Sequence, residues 1–457
     1  MRSTVWIGLG WSLLGASGLY AQDQRDEDIF GSEPKKESTP APTTEGSPQA
    51  LMDTMQIGGR LEVRSSTGQE EQQKLPKANF QQLKTADVYF DTRPNKDLRV
   101  FLRTRWTETT PVATPAAPDP RDCASCVDTK LDELWFKWDW DDTVFVTYGK
   151  QHLKWGSSRF WNPSDFTARE VRDPLALFDR RLGQELLKIH IPQEKQGHNY
   201  YAVVQFDDAA RNDDVGLALR GEFSIGQAGE LALSAQTRRN SPQRLAVDLS
   251  TALGPVDLTV EAASSKRQNR QFFRGDLDPE RFQLPESFQD RDKWFKQVVG
   301  GLRHTWKYSD EDNVSYGAEY FWNDLGYKDR ELELYSLILG ESQSLYAGER
   351  YAGAYLVLLN PGSWNETSFY LNGLTNLSDD TGLVRATGTW ELRDDATFEV
   401  YVSRCFGDYG ELCFKVPESY RQLAQIPGLP DSLKTTVAQL PTRKITFTAG
   451  AALSIEF

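Results

Sequence analysis

Ile445-Thr446-Phe447-Thr448-Ala449-Gly450-Ala451-Ala452-Leu453-Ser454-Ile455-Glu456-Phe457 alternates between two rows of side chains. Ile445, Phe447, Ala449, Ala451, Leu453, Ile455 and Phe457 form an apolar row, and Thr446, Thr448, Gly450, Ala452, Ser454 and Glu456 form the other. Successive side chains leave an extended backbone on opposite faces, so this segment is a strand with one face in an apolar medium and one in water. The pattern recurs upstream. Val384, Ala386, Gly388, Trp390 and Leu392 oppose Arg385, Thr387, Thr389 and Glu391. Near the start, Ile57, Gly59, Leu61 and Val63 oppose Arg60, Glu62 and Arg64.

Extended over the chain, the alternation predicts about eighteen strands, with sixteen as the other even count. They cover 54–66, 82–92, 98–107, 130–140, 143–151, 182–192, 199–206, 213–225, 229–238, 242–252, 255–265, 292–308, 313–324, 347–360, 363–376, 380–393, 396–406 and 442–457. Every second connection carries tight-turn chemistry, such as Asp141-Asp142, Gly254-Pro255 and Arg393-Asp394-Asp395. Most intervening connections are longer: 67–81, 108–129, 152–181, 266–291, 325–346 and 407–441. A sandwich would also alternate, but regular short-turn and long-loop alternation predicts an all-β fold. It is a single transmembrane antiparallel β-barrel over 54–457, with both termini periplasmic. Closure removes the sheet edges that so many strands would expose. Ending on Phe457 resembles the assembly signal of outer-membrane barrels, which implies the barrel-assembly machinery and outer-membrane lipid as partners.

The remainder of the chain agrees with export. Arg2, the apolar stretch Val5–Leu14 and Leu19-Tyr20-Ala21 form a signal peptide over 1–21, with an uncleaved anchor as the other reading. No run of some twenty apolar residues follows, so no transmembrane helix is available. Residues 22–53 are rich in Pro, Ser, Thr, Glu and Lys and are expected to be a disordered periplasmic linker. Asp26-Glu27-Asp28-Ile29-Phe30 within it is either part of a solvated tail or a dock for a periplasmic partner. The expected compartment is therefore the outer membrane of a Gram-negative bacterium. Net charge is −14 and mean hydropathy is −0.57, which argues against a nucleic-acid partner. Thirteen Trp and seventeen Tyr suit aromatic girdles at two membrane interfaces. The spacing of Cys123 with Cys126, and of Cys405 with Cys413, predicts two local disulfide staples. Zinc ligation is the alternative; the pairs lie far apart and no His flanks either, so neither metal nor cofactor is expected.

The inward rows carry charges of both signs. Arg99, Arg103 and Arg105 share one face of their strand, and neighbouring strands offer Asp87, Asp91, Glu133 and Lys137. Such rows either line a wet pore or neutralise one another to fill a closed interior; eighteen strands make the interior too wide for side chains to fill, which favours the pore. The most distinctive connection follows Gly149-Lys150-Gln151 and contains Trp155-Gly156-Ser157-Ser158-Arg159-Phe160-Trp161-Asn162-Pro163-Ser164-Asp165. This motif resembles a family of porin-like outer-membrane proteins, distantly similar to alginate-export barrels. The likeness runs through Asp173-Pro174 and Arg181 and covers about a tenth of the chain. In general porins the corresponding loop folds inward and makes the constriction. Trp155, Phe160 and Trp161 are the expected anchors, and Lys154, Arg159, Arg169, Arg172, Arg180 and Arg181 the expected basic lining. An outward loop, with its charges solvated or paired to Asp165, Glu170 and Asp173, is the alternative.

Catalytic patterns are weak. The chain has four His (His152, His190, His198 and His304), none in a Gly-x-Ser-x-Gly or His-Glu-x-x-His setting. His152 with Ser157 and Asp165 is the one triad that proximity permits. The sequence thus points to a non-enzymatic, porin-like channel for diffusion of small hydrophilic solutes or oligomers, anions among them. A structural or assembly barrel that binds partners through its tail and external loops is the alternative.

Overall fold

The computed structural model describes residues 55–75, 78–109, 127–168, 172–176, 181–226, 229–278, 281, 283–309, 312–425, 434, 437–438 and 440–457. The signal segment, the 22–53 linker, Cys123, Cys126, Arg169 and Arg180 lie outside them. Consecutive neighbours in the wall are β1 (Gln56–Glu70), β2 (Asn79–Asn95), β3 (Leu98–Thr109), β4 (Val127–Trp140), β5 (Val144–Gln151) and β6 (Gln184–Gln193). They continue as β7 (His198–Gln205), β8 (Gly216–Ile225), β9 (Gly229–Thr237), β10 (Gln243–Leu253) and β11 (Val256–Lys266). β12 (Phe272–Arg274) and β13 (Glu286–Phe288) form a separate hairpin in the following loop. The wall resumes with β14 (Phe295–Lys307), β15 (Asn313–Asn323), β16 (Arg350–Leu359), β17 (Thr367–Asn376), β18 (Thr381–Arg393), β19 (Ala396–Phe406) and β20 (Ile445–Glu456). The wall is one antiparallel sheet of eighteen strands, closed by pairing of β1 with β20.

Closure is tight at the seam. Gly59 N donates to Phe457 O at 2.9 Å, and Phe457 N donates to Gly59 O at 3.0 Å. A Cβ on Gly59 would stand 2.4 Å from Asp87 O and 2.7 Å from the Phe457 ring, so only glycine fits between the terminal ring and β2. Antiparallel pairing of the first and last strands puts the start of β1 and the end of β20 at the end of the barrel that carries the tight turns.

The apolar rows face outward. On β4, Trp138 and Trp140 are 63% and 71% exposed, while Asp132 and Glu133 are buried. Exposed apolar surface on this scale, continuous around a closed sheet, is the lipid-facing band of an outer-membrane barrel. Aromatic side chains flank it: Trp140, Phe223, Trp306, Phe398 and Phe457 near the tight turns, and Phe80, Trp106, Trp322 and Phe406 near the long loops. A bulge in β4, where Arg103 pairs with Glu133 but Thr104 pairs with Leu131, turns Asp132 and Glu133 inward together.

All eighteen wall strands match the expected segments, with ends shifted by a few residues. The long loops depart from plain connections. Those after β11, β15 and β19 build a folded canopy at one side of the mouth, from the β12–β13 hairpin, a helix α1 (Arg330–Ile338) and a 3-10 turn (Glu418–Gln425). Asp329 caps α1 by accepting from Glu331 N and Leu332 N. Val416, Tyr420, Leu423, Val437 and Leu440 form one small core, and Phe273, Tyr327 and Tyr335 another. The Cys405–Cys413 disulfide, with Cα atoms 5.6 Å apart, ties the canopy to the wall. Cys405 lies at the end of β19, where the β18–β19 ladder continues through its pairing with Leu383.

Candidate functional site

The loop between β5 and β6 passes into the lumen, and the wall is cut to receive it. β5 ends on Gln151, whose Nε2 donates to Thr147 O at 3.3 Å and Leu186 O at 3.4 Å, capping the strand end from inside. Trp155 and Phe166 then pack on Leu186, Val203, Ala218 and Ala263. Phe160 and Trp161 pack on Val299, Phe321, Tyr351 and Leu374, with Trp161 fully buried and stacked on Phe321 at 5.7 Å. These wall residues occupy inward rows that are polar elsewhere. Gly301, Glu319 and Gly353 lie side by side in register, and the missing side chain of Gly353 leaves room for the Phe160 ring, which a Cβ would approach to 2.7 Å.

Two buried glutamates on the wall hold the loop backbone. Glu261 on β11 accepts from Ser157 N (2.8 Å), Ser158 N (2.7 Å), Asn162 Nδ2 (3.2 Å) and the Ser164 hydroxyl (2.7 Å). Glu319 on β15 accepts from Arg159 N (2.5 Å) and Phe160 N (2.9 Å). Hydrogen bonds to a charged acceptor are each worth roughly 1.5–3 kcal/mol, so a buried carboxylate with several amide donors is a strong anchor. Gly156 has φ of +91°, and a Cβ there would stand 2.7 and 2.8 Å from the Glu261 oxygens. Asn162 also donates to Ser158 O at 2.8 Å, and Asp165 accepts from the Thr167 hydroxyl (2.9 Å) and pairs with Arg181 (3.4 Å). The Trp-Gly…Phe-Trp-Asn-Pro-x-Asp run therefore specifies one folded loop: rings for the wall, a glycine beside a carboxylate, and Asn and Asp for internal closure.

The basic residues fall into two groups. On the wall, Arg99 pairs with Asp91 at 2.6 Å, Arg103 with Glu133 at 3.3 Å, and Arg105 with both Asp87 and Asp132 at 2.7 Å. Arg99 also lies over Trp135 and Arg103 over Phe101, in an inward ladder of Tyr89, Phe101 and Trp135. β2 sits halfway round the ring from β11, so this charged arc lies across the lumen from the Glu261 anchor. Around the loop the setting differs. Arg159 lies 4.3 Å from the Tyr355 ring centre with Nη2 3.4 Å from Asn372 Oδ1. Arg385 donates to Leu175 O at 3.2 Å and lies over Tyr401. Arg244 donates to the Phe166 carbonyl, and Arg270 donates to the Ser342 hydroxyl and the Leu325 carbonyl. Among the described residues no carboxylate lies within ion-pair distance of Arg159, Arg244, Arg270 or Arg385. Arg172, Arg181, Arg244 and Arg270 line a cleft of about 330 Å³ between the loop and the canopy, with Asp165 and Glu341. Lys154 is half-buried at the loop entry.

The suspected triad is not assembled. His152 Nε2 contacts Asp132 Oδ1 at 3.1 Å, the Ser157 hydroxyl is buried and has no hydrogen-bond partner among the described residues, and Asp165 is committed to Thr167 and Arg181. Glu261 and Glu319 were not legible as anchors, because their donors are mainly backbone amides that leave no side-chain signature. The apolar breaks in the inward rows were the signal available.

No family model matches the chain, and no curated protein matches it by sequence. Its fold is found among solved outer-membrane porins. OccK8 (OprE) of Pseudomonas aeruginosa superposes with a TM-score of 0.52 at 8% identity, covering 89% of this chain and 99% of that one. The BenF-like porin of Pseudomonas fluorescens Pf-5 gives 0.53 at 9% identity, covering 88% and 98%. OccAB1 of Acinetobacter baumannii gives 0.50 at 10% identity, covering 89% and 97%. At these identities the likeness is one of fold, and this chain's version of it is the closed eighteen-strand barrel.

Proposed function

We propose that this protein is an outer-membrane porin-like channel through which small hydrophilic solutes diffuse, with the 152–183 loop as its constriction and a preference for anions there. The observation that carries the reading is the loop seated inside the barrel on Glu261 and Glu319. A wall built to hold a loop across its lumen narrows a passage that eighteen strands alone would leave wide. Anion preference rests on the contrast between the two arginine groups. Arg99, Arg103 and Arg105 have carboxylate partners, so their field is largely transverse. Arg159, Arg244, Arg270 and Arg385 are held by rings and carbonyls, so their positive charge is left for a passing solute to meet. On this reading the tight turns, with the start of β1 and the end of β20 beside them, face the periplasm, which puts both termini on that side. The Trp-Gly…Asn-Pro-x-Asp motif supports kinship with the porin-like family that carries it.

Planar-bilayer recording of the purified folded barrel tests this. Discrete open-channel steps are expected, with a reversal potential on the anion side that moves toward neutrality in Arg159→Ala. A folded barrel that inserts but conducts no ions would overturn the channel reading. The folded canopy favours a second reading, a barrel that binds partners at the cell surface. Loss of a co-purifying partner on deletion of 22–50, from a non-conducting barrel, would select it.

A further inference from the structure

The canopy hides three carboxylates at one point. Glu333 on α1, Asp379 in the β17–β18 connection and Glu411 in the loop after β19 are 0%, 1% and 7% exposed. They share neutral donors in place of cations. Asn376 Nδ2 donates to Glu333 Oε1 (2.5 Å) and Glu411 Oε2 (3.0 Å). Glu411 also accepts from the Tyr351 hydroxyl (2.7 Å) and Leu345 N (2.5 Å). Asp379 accepts from Thr381 N, the Thr381 hydroxyl and Glu411 N. Glu333 Oε2 is fully buried and receives no donor. An ionised Glu333, with Asp379 within side-chain hydrogen-bonding reach and Glu411 sharing its Asn376 donor, would be strongly disfavoured; protonated, it can give its own O–H to Asp379.

Among the described residues the surroundings offer no compensating cation. Arg330, on the same helix, is turned to the Asp379 backbone carbonyl, the Asp380 carboxylate at 3.8 Å and the Tyr409 ring. Glu331 receives the Tyr409 and Tyr420 hydroxyls. From the wall, β16 presents Tyr351 and β17 presents Asn376. No group of His, Cys, Asp and Glu among the described residues is arranged to hold a metal ion. The ligand that fits is a proton. The cluster also touches the constriction loop, because Leu345, Tyr346 and Leu412 pack on the Phe160–Trp161 core and Trp161 Nε1 donates to Leu345 O at 3.1 Å.

We propose that Glu333, Asp379 and Glu411 form a proton-operated latch: a proton held between Glu333 and Asp379 fastens α1 and the loop after β19 to the β17–β18 corner, and its loss releases this cover from the mouth. Burial, with Glu411 and Asp379 beside it, pushes the Glu333 carboxyl up to about 10, and burial pushes Glu411 up to about 7. In the released state both face water and titrate near 4–4.5, roughly the ordinary carboxylate range. The latched state therefore binds more protons. Closure is fully present in acid and weakens as pH rises. Opening should increase up to about 100-fold per pH unit between about 4.5 and 7, where both glutamates release protons on opening. Between about 7 and 10, where only Glu333 does, it should increase about tenfold per unit.

This concerns the cover and not what passes beneath it, so its test need not involve conduction. Pulsed hydrogen exchange of the full-length folded barrel at pH 5, 7 and 9, corrected for intrinsic rates, reads opening directly. Peptides spanning 330–346 and 408–423 should lose protection with rising pH while β2–β4 peptides do not. Glu333→Gln keeps the shape and the donor to Asp379, so it should flatten the response above pH 7 and leave the canopy protected. Glu411→Gln should cut the rise between about pH 4.5 and 7 from about 100-fold to about tenfold per unit and leave the limb above pH 7 in place. Protection of the wild-type canopy that does not change with pH would overturn the latch, whatever the variants do. So would a Glu333→Gln barrel whose canopy opens with pH as the wild type does.

Discussion

Gly156 and Glu261 make one contact that decides where a thirty-residue loop lies. The carboxylate is surrounded by Ser157 N, Ser158 N and the Ser164 hydroxyl, and the glycine backbone turns at φ +91° to present those donors. Gly156→Ala adds a methyl less than 3 Å from both carboxylate oxygens in a conformation that L residues rarely adopt. It should weaken the anchor by about 1–3 kcal/mol. The expected outcome is a barrel that still folds, with a larger and noisier single-channel conductance; an unchanged conductance trace would count against the anchor. At this scale the sequence was half legible. Trp155-Gly156 and Asn162-Pro163 stood out as a motif, whereas Glu261 looked like any other inward carboxylate. Its partners come from a segment about a hundred residues away and are mainly backbone groups, which carry no residue-type signature.

The strands were legible for a physical reason that the loops lack. A strand between lipid and water repeats every second residue, so Ile445–Phe457 or Ile57–Val63 declares both its conformation and its faces. The canopy has no such period. α1 buries Glu333, Leu334, Tyr335 and Ser336 in succession, a run that fits no single apolar stripe because the helix is enclosed by other loops and by the wall. The bulge at Asp132–Glu133 escaped for a similar reason, since one extra residue breaks the alternation and looks like an ordinary strand end. Within the constriction loop the anchor that matters most by packing is Trp161, fully buried between Phe160, Phe321 and Tyr351. Trp161→Ala should cost about 3–5 kcal/mol at that seat by analogy with large-to-small core changes. Because the wall ladder is untouched, the loss should appear as protease sensitivity of the loop and a lower midpoint for its release, while the heat-modifiable barrel band on a gel is retained. Loss of the barrel band itself would mean that the loop core is needed to close the wall.

For the whole molecule, the net charge of −14 and the local charge at the loop point in opposite directions. Which one a solute senses depends on distance. At about 0.1 M salt the Debye length is roughly 10 Å, and at about 1 M it is roughly 3 Å. The net negative charge of the chain as a whole therefore acts on approaching ions only in dilute salt, whereas Arg159 and Arg385, fixed against Tyr355 and Tyr401 beside the loop, act on an ion already in contact. The two effects should separate in a salt series. As salt falls from about 1 M to about 0.05 M, the far acidic field should erode anion preference, so the reversal potential shifts toward the cation side. Across the same series, the difference between wild type and Arg159→Ala should persist at high salt, because the short contact is poorly screened. A wild-type and variant pair that converge at 1 M would mean that Arg159 acts only through the long-range field. The constriction would then have to be sought along the ion-paired arc of Arg99, Arg103 and Arg105, where each guanidinium already has its carboxylate.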